Sequence, residues 1–394
     1  MTKTLIVVVA ARITEWVEKG EVSPGYFNPD SRFEKIVIVS LVQDAAGQDV
    51  LRYLCGGAEC LFVPLNLLSV SGLLRSAGFN AYLTGFYIKK WVVPKLPTNR
   101  EFVVRSYGDT FSGKFAAILA SFLRCRSVAS IHTTFTHLPP QEVQTPKSKI
   151  IRILEGWSRE YAHRHIDALA PVYSPITASI SVSYHDKTYI VPNAVDVKKS
   201  DRKTDFSRSG DLKIICVGRL VPGKSLLPIL EGLLKLDQWH LTIVGSGPCE
   251  GEIRTWVMKH GKETNVTFIA SMRNKELIAS LQDFDLFVAH TSYAEIPKTV
   301  IEAGLIGLPI ILNQPVATAS REYVDAPIFW ANANAEGYYN AFKDFWACRE
   351  KWQGIGHSTR KHFERWFEPV FAGKMMADLL SQSENDCLRP WNEE

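Results

Sequence analysis

Residues 218–225 read Gly-Arg-Leu-Val-Pro-Gly-Lys-Ser, a full match to the G-x-x-x-x-G-K-[ST] pattern that cradles nucleotide phosphates. An apolar run, Lys213–Val217, precedes it and a helix-length stretch, Leu226–Leu236, follows it. That is the strand–loop–helix setting the pattern requires. Two features argue against a nucleotide triphosphatase that works this way. Such an enzyme holds Mg²⁺ with an acidic side chain at the end of a neighbouring strand. Here the runs LTIV, VTFI, LFVA and PIIL lead into Gly245, Ala270, His290 and Asn313. Pro222 also has no amide proton to offer a phosphate. The same residues allow other chemistry. Arg219 and Lys224, five apart in a loop at the carboxyl end of a strand, can clamp a diphosphate without a metal, helped by the start of the following helix.

Further along the same half lie more groups of this kind. Gly245-Ser-Gly247-Pro248 follows the next strand-like run and reads as a tight turn at the same sheet edge. Ser292-Tyr-Ala-Glu295-Ile296-Pro297-Lys298-Thr299-Val-Ile-Glu302-Ala-Gly follows the run Leu286–Ala289. Pro297 suits the first turn of a helix, so Lys298–Ile306 is expected to start there. Glu302 then sits one turn inside, where a carboxylate can accept hydrogen bonds from vicinal hydroxyls; taken alone it is also an ordinary solvated helix glutamate. His132 closes the run Val128–Ile131, and reads either as a ligand-facing imidazole or as a satisfied core histidine.

Taken in order, GRLVPGKS, VGSGP and S-x-x-E-x-P-K-T-x-x-E-A-G-L-x-G-L-P resemble the carboxyl half of glycosyltransferase family 4. Val191-Pro-Asn-Ala-Val-Asp196 is similar to that family's linker, and Ser130-Ile-His132-Thr to its strand ending in T-x-H. The resemblance spans residues 127 to about 315. Over the first hundred residues it is weak, with Lys19-Gly-Glu-Val-Ser-Pro-Gly25 standing where the family has a Gly-Gly loop. It implies a GT-B fold and a retaining transfer of a hexose-type sugar from a UDP- or GDP-sugar to a glycan or lipid-linked acceptor. The nucleotide sugar is then a co-substrate, with no cofactor and no metal. In that reading Arg219 and Lys224 neutralise the leaving diphosphate, beside Gly218 and Gly245. Glu302 binds the ribose next to Ile296–Thr299, Ser271, Met272 and Arg273 meet the nucleobase, and His132 approaches the donor sugar. The family has two glutamates eight positions apart, the first touching the donor hexose; that position falls on Ala294, and Glu295 stands one residue late, so either Glu295 takes this catalytic place on a shifted backbone or the hexose pocket is altered. Glu295 and Glu302 can share a helix face only if that helix begins early. A P-loop NTPase, or an inactive relative that binds sugar or nucleotide, remains the alternative.

The elements needed to position these groups are legible as short Val- and Ile-rich runs. Those of the first half are Leu5–Val9, Ile36–Val39, Cys60–Val63, Phe102–Arg105, Val128–Ile131, Leu169–Val172 and Tyr189–Val191; those of the second are Lys213–Val217, Leu241–Val244, Val266–Ile269, Leu286–Ala289 and Pro309–Leu312. They lack period-two alternation, as strands buried on both faces do. Helix-length stretches separate them (Gly251–His260 and Asn274–Gln282 among others), which predicts an α/β protein with two parallel-sheet, Rossmann-like domains. The expected division is a first domain over 1–191, a charged linker over 192–211, a nucleotide-sugar domain over 212–360, and a C-terminal segment, 361–394, returning to the first domain. One helix is expected over His362–Leu380. In such sheets ligands bind at the carboxyl ends of the strands.

Composition sets outer limits. The 394 residues are 46% apolar and 22% charged, with a formal charge of +4, too mild to imply a nucleic-acid partner. No apolar run approaches the length of a membrane span. Seven cysteines with no C-x-x-C spacing read as reduced thiols in a cytoplasmic protein. Leu5–Ala11 reads as a first strand more readily than as a signal segment, since Lys3 is its only preceding cation. Asn265-Val-Thr267 matches a glycosylation sequon but lies on a strand-like run. Residues 72–100 combine Phe79, Tyr82, Phe86, Tyr87 and Trp91 with Arg75, Lys89, Lys90, Lys95 and Arg100, and Lys147–Arg164 is a second basic and apolar stretch. Such segments fit peripheral contact with the anionic inner face of a membrane. They equally fit an amphipathic core helix or a glycan cleft lined by rings.

Overall fold

The computed structural model describes residues 3–18, 20, 22–69, 72, 76, 79–98, 101–132, 146–193, 195, 197–207, 210–293, 295–315 and 320–381. The chain forms two units, one from residues 1–194 together with 370–394, the other from 195–369.

The first unit is built on six parallel strands: β1 (Thr4–Val9), β2 (Lys35–Ser40), β3 (Glu59–Pro64), β4 (Phe102–Tyr107), β5 (Arg126–Ile131) and β6 (Ala168–Pro171), in the order β3-β2-β1-β4-β5-β6. All six residues of β1 are buried, which is why its sequence is a continuous apolar run. Each aliphatic side chain so placed contributes about 1.5–3 kcal/mol through removal from water. One face of the sheet carries Leu5, Val7, Val9, Ile36 and Ile38; the other carries Ile6, Val8, Val37, Val39 and Val104 under Phe111, Phe115 and Leu119 of the helix Phe111–Leu123.

The second unit repeats the plan with β7 (Leu212–Val217), β8 (Trp239–Val244), β9 (Val266–Ile269), β10 (Leu286–Ala289), β11 (Ile310–Asn313) and β12 (Ile328–Ala331), in the order β12-β11-β10-β7-β8-β9. Both orders are the doubly wound one, in which the direction of winding reverses between two central strands. That switch falls between β1 and β4 in the first unit and between β7 and β10 in the second.

The structure departs from the sequence reading in four places. Tyr189–Val191 is not a strand: it hydrogen-bonds to Leu169 and Pro171, but the pairing is a single bridge, Leu169 to Thr188, and Pro192 ends the donor series. Ile328–Ala331, not anticipated, is the edge strand β12. The helix expected over His362–Leu380 is two, Trp352–Phe367 and Pro369–Ser381, because Pro369 cannot continue the hydrogen-bond ladder and Glu368 turns extended (ψ 122°). Finally, the charged stretch expected as a linker packs on the second unit. Lys203 is 2% exposed, its amide bonds Ile306 O and its ammonium bonds Gln282 O, while Arg202 pairs with Glu364. The chain leaves the second unit only after Phe367, and Met375, Met376, Leu379 and Leu380 then fill the core of the first.

Candidate active site

In the second unit the loop after β7 is tied to the loop after β8 by backbone alone. Gly218 N bonds Val244 O, Leu220 N bonds Ser246 O, and Cys249 N bonds Leu220 O. The approach is close enough that a Cβ on Gly245 (φ +147°) would stand 1.9 Å from Gly218 O, and one on Gly247 (φ +157°) 2.3 Å from Leu220 O. Glycine is required at both places by space and by dihedral.

The Gly218–Ser225 loop does not form a phosphate cradle of the P-loop kind. The amides of Leu220, Val221 and Lys224 are committed to Ser246, Arg219 and Val221 carbonyls, and Pro222 has none. Pro222–Lys224 is a 3-10 turn, and the next helix, Leu227–Leu233, starts three residues beyond Lys224 and runs for only seven. The regular expression is therefore met without its structure, and the helix-start contribution expected beside Lys224 falls away.

The loop after β10 supplies the other wall. Ser292 N bonds Gly223 O at 2.8 Å, and a Cβ on Gly223 would stand 2.3 Å from the Tyr293 ring. Lys224 Nζ lies 2.5 Å from Glu295 Oε1, with both side chains about four-fifths buried, and 5.9 Å from the Tyr293 ring centroid. Thr299 Oγ1 donates to Val217 O at 3.1 Å, fixing the next helix against β7. Gly218, Arg219, Lys224, His290 and Pro297 are among the residues lining a cavity of about 20 Å³, room for one water. Arg219 is exposed and Ile296 is buried, so Ile296 can face a ligand only through its backbone.

The helix Lys298–Ile306 begins as expected, with Pro297 as its N-cap rather than inside the first turn. Glu295 therefore lies in the loop before it. Glu295 and Glu302 do not share a helix face, and the early start that would align them does not occur; Ala294 lies outside the described residues. Glu302 is no solvated glutamate: it is 1% exposed, accepts a bond from Asn274 Nδ2 at 2.7 Å, and has Lys298 Nζ 3.6 Å away. Burial raises its pKa against the opposing charge of Lys298 and the Asn274 bond. Asn274 opens the helix Asn274–Leu281, whose N-cap is Arg273, so the Ser271–Arg273 loop after β9 is drawn toward Glu302. Sequence reasoning passed over three residues here: Asn274, Tyr293, and His290, whose Nδ1 is 3.0 Å from Tyr338 OH. Tyr293 fills a variable position of the Ser292–Glu295 motif and His290 ends the LFVA run, so each is recognised as part of the site only by what the fold lays beside it.

His132 belongs to the first unit and follows β5. Its ring stacks on Tyr107 (5.5 Å, 10°), and the Arg105 guanidinium lies 4.4 Å from the same tyrosine ring. Burial lowers its pKa to about 4, the Arg105 charge adds to this, and a hydrogen bond with Asn193 opposes it. Among the described residues the buried Nε2 makes no hydrogen bond. Nearby Asp109, 6% exposed, accepts from Arg159 Nε (2.9 Å) and pairs with His163 Nε2 (2.8 Å). On the same unit the helix Ala81–Tyr87 and the π turn Ile88–Val92 expose Tyr82 (86%), Phe86 (56%) and Trp91 (46%) beside Lys89 and Lys90, and the helix Pro146–His165 exposes Ile150, Ile153 and Trp157. Phe79 and Ile88 are core residues. Arg75 and Arg100 lie outside the described residues. No described helix is long and apolar enough to cross a membrane.

Residues 197–362 match the family model described as glycosyl transferases group 1. No curated protein sequence matches the chain. Among solved structures, Anabaena HepE in complex with UDP superposes with a TM-score of 0.68 at 13% identity, covering 97% of this chain and 100% of that one. The lipopolysaccharide outer core galactosyltransferase WaaB gives 0.64 at 14%, over 97% and 100%. Sucrose-phosphate synthase from Thermosynechococcus elongatus gives 0.67 at 13%, over 96% and 99%. The chain thus has the GT-B fold of glycosyltransferases, and its second half matches the glycosyl transferases group 1 family.

Proposed function

We propose that this chain is a retaining glycosyltransferase that moves a hexose-type sugar from a UDP- or GDP-sugar to a glycan or lipid-linked acceptor. The observation that carries the reading is the convergence at one topological switch point. The loop after β7 brings Arg219 and Lys224, the loop after β10 brings Glu295 and Pro297, and Glu302 lies one turn into the helix that follows. Ligands of doubly wound sheets bind at that point. As the bond from sugar C1 to the diphosphate breaks, negative charge grows on the leaving oxygen, and fixed cations stabilise the transition state more than the ground state. Arg219 and Lys224 are suited to that task and need no metal beside them. Glu302, held by Asn274, is assigned to the ribose hydroxyls, the Ser271–Arg273 backbone to the base, and His132 to a hydrogen bond with the donor sugar or its phosphate. UDP and UDP-glucose are bound by the structural neighbour HepE, which favours the uracil donor.

The exposed rings and lysines of residues 81–95 support an acceptor presented at an anionic membrane surface, where aromatic rings seat at the headgroup level and lysines meet lipid phosphate. The Ala81–Lys95 segment contains no acidic residue.

A thermal-shift panel of UDP, GDP, ADP, ATP and GTP, each with Mg²⁺ and with EDTA, tests the donor. A ligand at a hundred times its Kd adds about 2.7 kcal/mol. Stabilisation by one nucleoside diphosphate that survives EDTA is expected, and it is lost in Lys224→Ala. Glu302→Gln keeps the fold and loses at least about tenfold in nucleotide affinity, one to two charged hydrogen bonds' worth. Stabilisation by ATP or GTP alone, and only with Mg²⁺, overturns the assignment.

A further inference from the structure

We propose that Cys55 and Cys60 form a reversible disulfide. Their sulfurs lie 2.7 Å apart, inside van der Waals contact and within about 1 Å of an S–S bond length. The approach is built into the backbone. Cys55 ends the helix Gln48–Cys55, Gly56 reverses the chain at φ +61°, Ala58 N bonds Cys55 O, and Glu59 N bonds Glu34 O to start β3. Only four residues separate the two thiols, and both ends of the turn are pinned. Cys55 is fully buried, whereas Cys60 is half-buried on the edge strand of its sheet. The Cys60 sulfur and burial push the Cys55 thiol up, and Cys60, the more exposed of the two, meets an oxidant first.

The chemistry is thiol–disulfide exchange with a small-molecule disulfide, RSSR. The Cys60 thiolate attacks one sulfur of RSSR, forming Cys60–S–S–R and expelling RS⁻. The Cys55 sulfur then attacks the Cys60 sulfur and expels the second R–S group, which leaves with the Cys55 proton as RSH. Two protein thiols are oxidised and one RSSR is reduced to two thiols. The closed bond fixes the last turn of the helix, and that turn carries the preceding loop: Gly25 N bonds Tyr53 O, Phe27 N bonds Leu54 O, and Asn28 Nδ2 reaches Cys55 O.

The test uses the full chain and oxidised glutathione. After incubation the protein is quenched in acid, denatured, alkylated and mapped by mass spectrometry. The expected result is loss of both alkylation sites in the peptide holding Cys55 and Cys60, with the mass of two hydrogens removed and no glutathione attached. Dithiothreitol restores both sites, and Cys125, Cys216, Cys249 and Cys348 stay alkylated. Amide exchange at Gly25 and Phe27 slows several-fold in the oxidised protein and is unchanged in oxidant-treated Cys60→Ser. Full alkylation of both cysteines, or a glutathione adduct that stays on Cys60, overturns the proposal. The wild-type map decides it without any variant having to fold.

Discussion

Lys224 meets its first anion within the protein. Glu295 holds it at 2.5 Å, so on the reading proposed here an incoming diphosphate has to compete with a carboxylate already in place. Glu295→Gln keeps the shape and removes the charge, and nucleoside diphosphate affinity is expected to rise about three- to tenfold, about 0.7–1.4 kcal/mol at a factor of ten per 1.4. Isothermal titration of the variant against wild type measures it; unchanged or weaker binding shows that Glu295 does not oppose the phosphate. His132 makes a prediction of different form. Its folded pKa lies near 4, below the unfolded value of about 6.5. The unfolded chain therefore binds the extra proton between those two values, and stability falls as pH drops through that window. His132→Asn is expected to lose that acid sensitivity, on the order of 2 kcal/mol between pH 6.5 and pH 4, as a flatter Tm against pH. The sequence displays Arg219, Lys224 and Glu302 because their motif spacing is local. It does not display that Glu302 is buried on Asn274, or that Glu295 is turned onto Lys224, since both partners arrive from elements separated by tens of residues.

Among the elements, the strands were legible wherever Val and Ile run unbroken, because a strand buried on both faces can take nothing else. β12 escaped notice for the complementary reason: Ile-Phe-Trp-Ala is short, aromatic and at the sheet edge, where Phe329 and Trp330 are only half-buried. The helix break at Pro369 was readable from the proline but was masked by continuous apolar spacing on both sides. One polar network, not legible at all, joins elements of the first unit. Asp109, just after β4, binds Arg159 and His163 of the helix Pro146–His165, and Arg159 also bonds Ser179 O. Burial opposes the Asp109 charge, and His163 and Arg159 overcome it, so the carboxyl is held below its ordinary value. Asp109→Ala removes the buried acceptor that Arg159 Nε and His163 Nε2 share, Arg159 keeping its bond to Ser179 O, and is expected to cost about 3–5 kcal/mol, measured by urea denaturation. A cost below about 1 kcal/mol shows the network is incidental.

At the scale of the whole molecule, the chain enters the second unit once and leaves it once, and the last described helix completes the first unit. Arg126 Nε bonds Leu379 O at 2.7 Å, Arg32 pairs with Asp378, and four side chains of that helix sit in the core. Truncation after Glu368 is therefore expected to lower the melting transition of the first unit by well over about 10 °C, several buried apolar side chains being lost. The transition of the second unit stays in place. Calorimetry that shows both transitions falling together contradicts this division. The same connectivity has a consequence for how the protein is made. Domains usually fold in the order in which they leave the ribosome. Here the amino-terminal half emerges first but lacks a wall of its own interior until Pro369–Ser381 has been synthesised, by which time residues 195–369 are already free to fold. Translation is thus expected to leave the first-born half waiting, its core short of Met375, Met376, Leu379 and Leu380, and dependent on chaperones for as long as the ribosome takes to read the remainder.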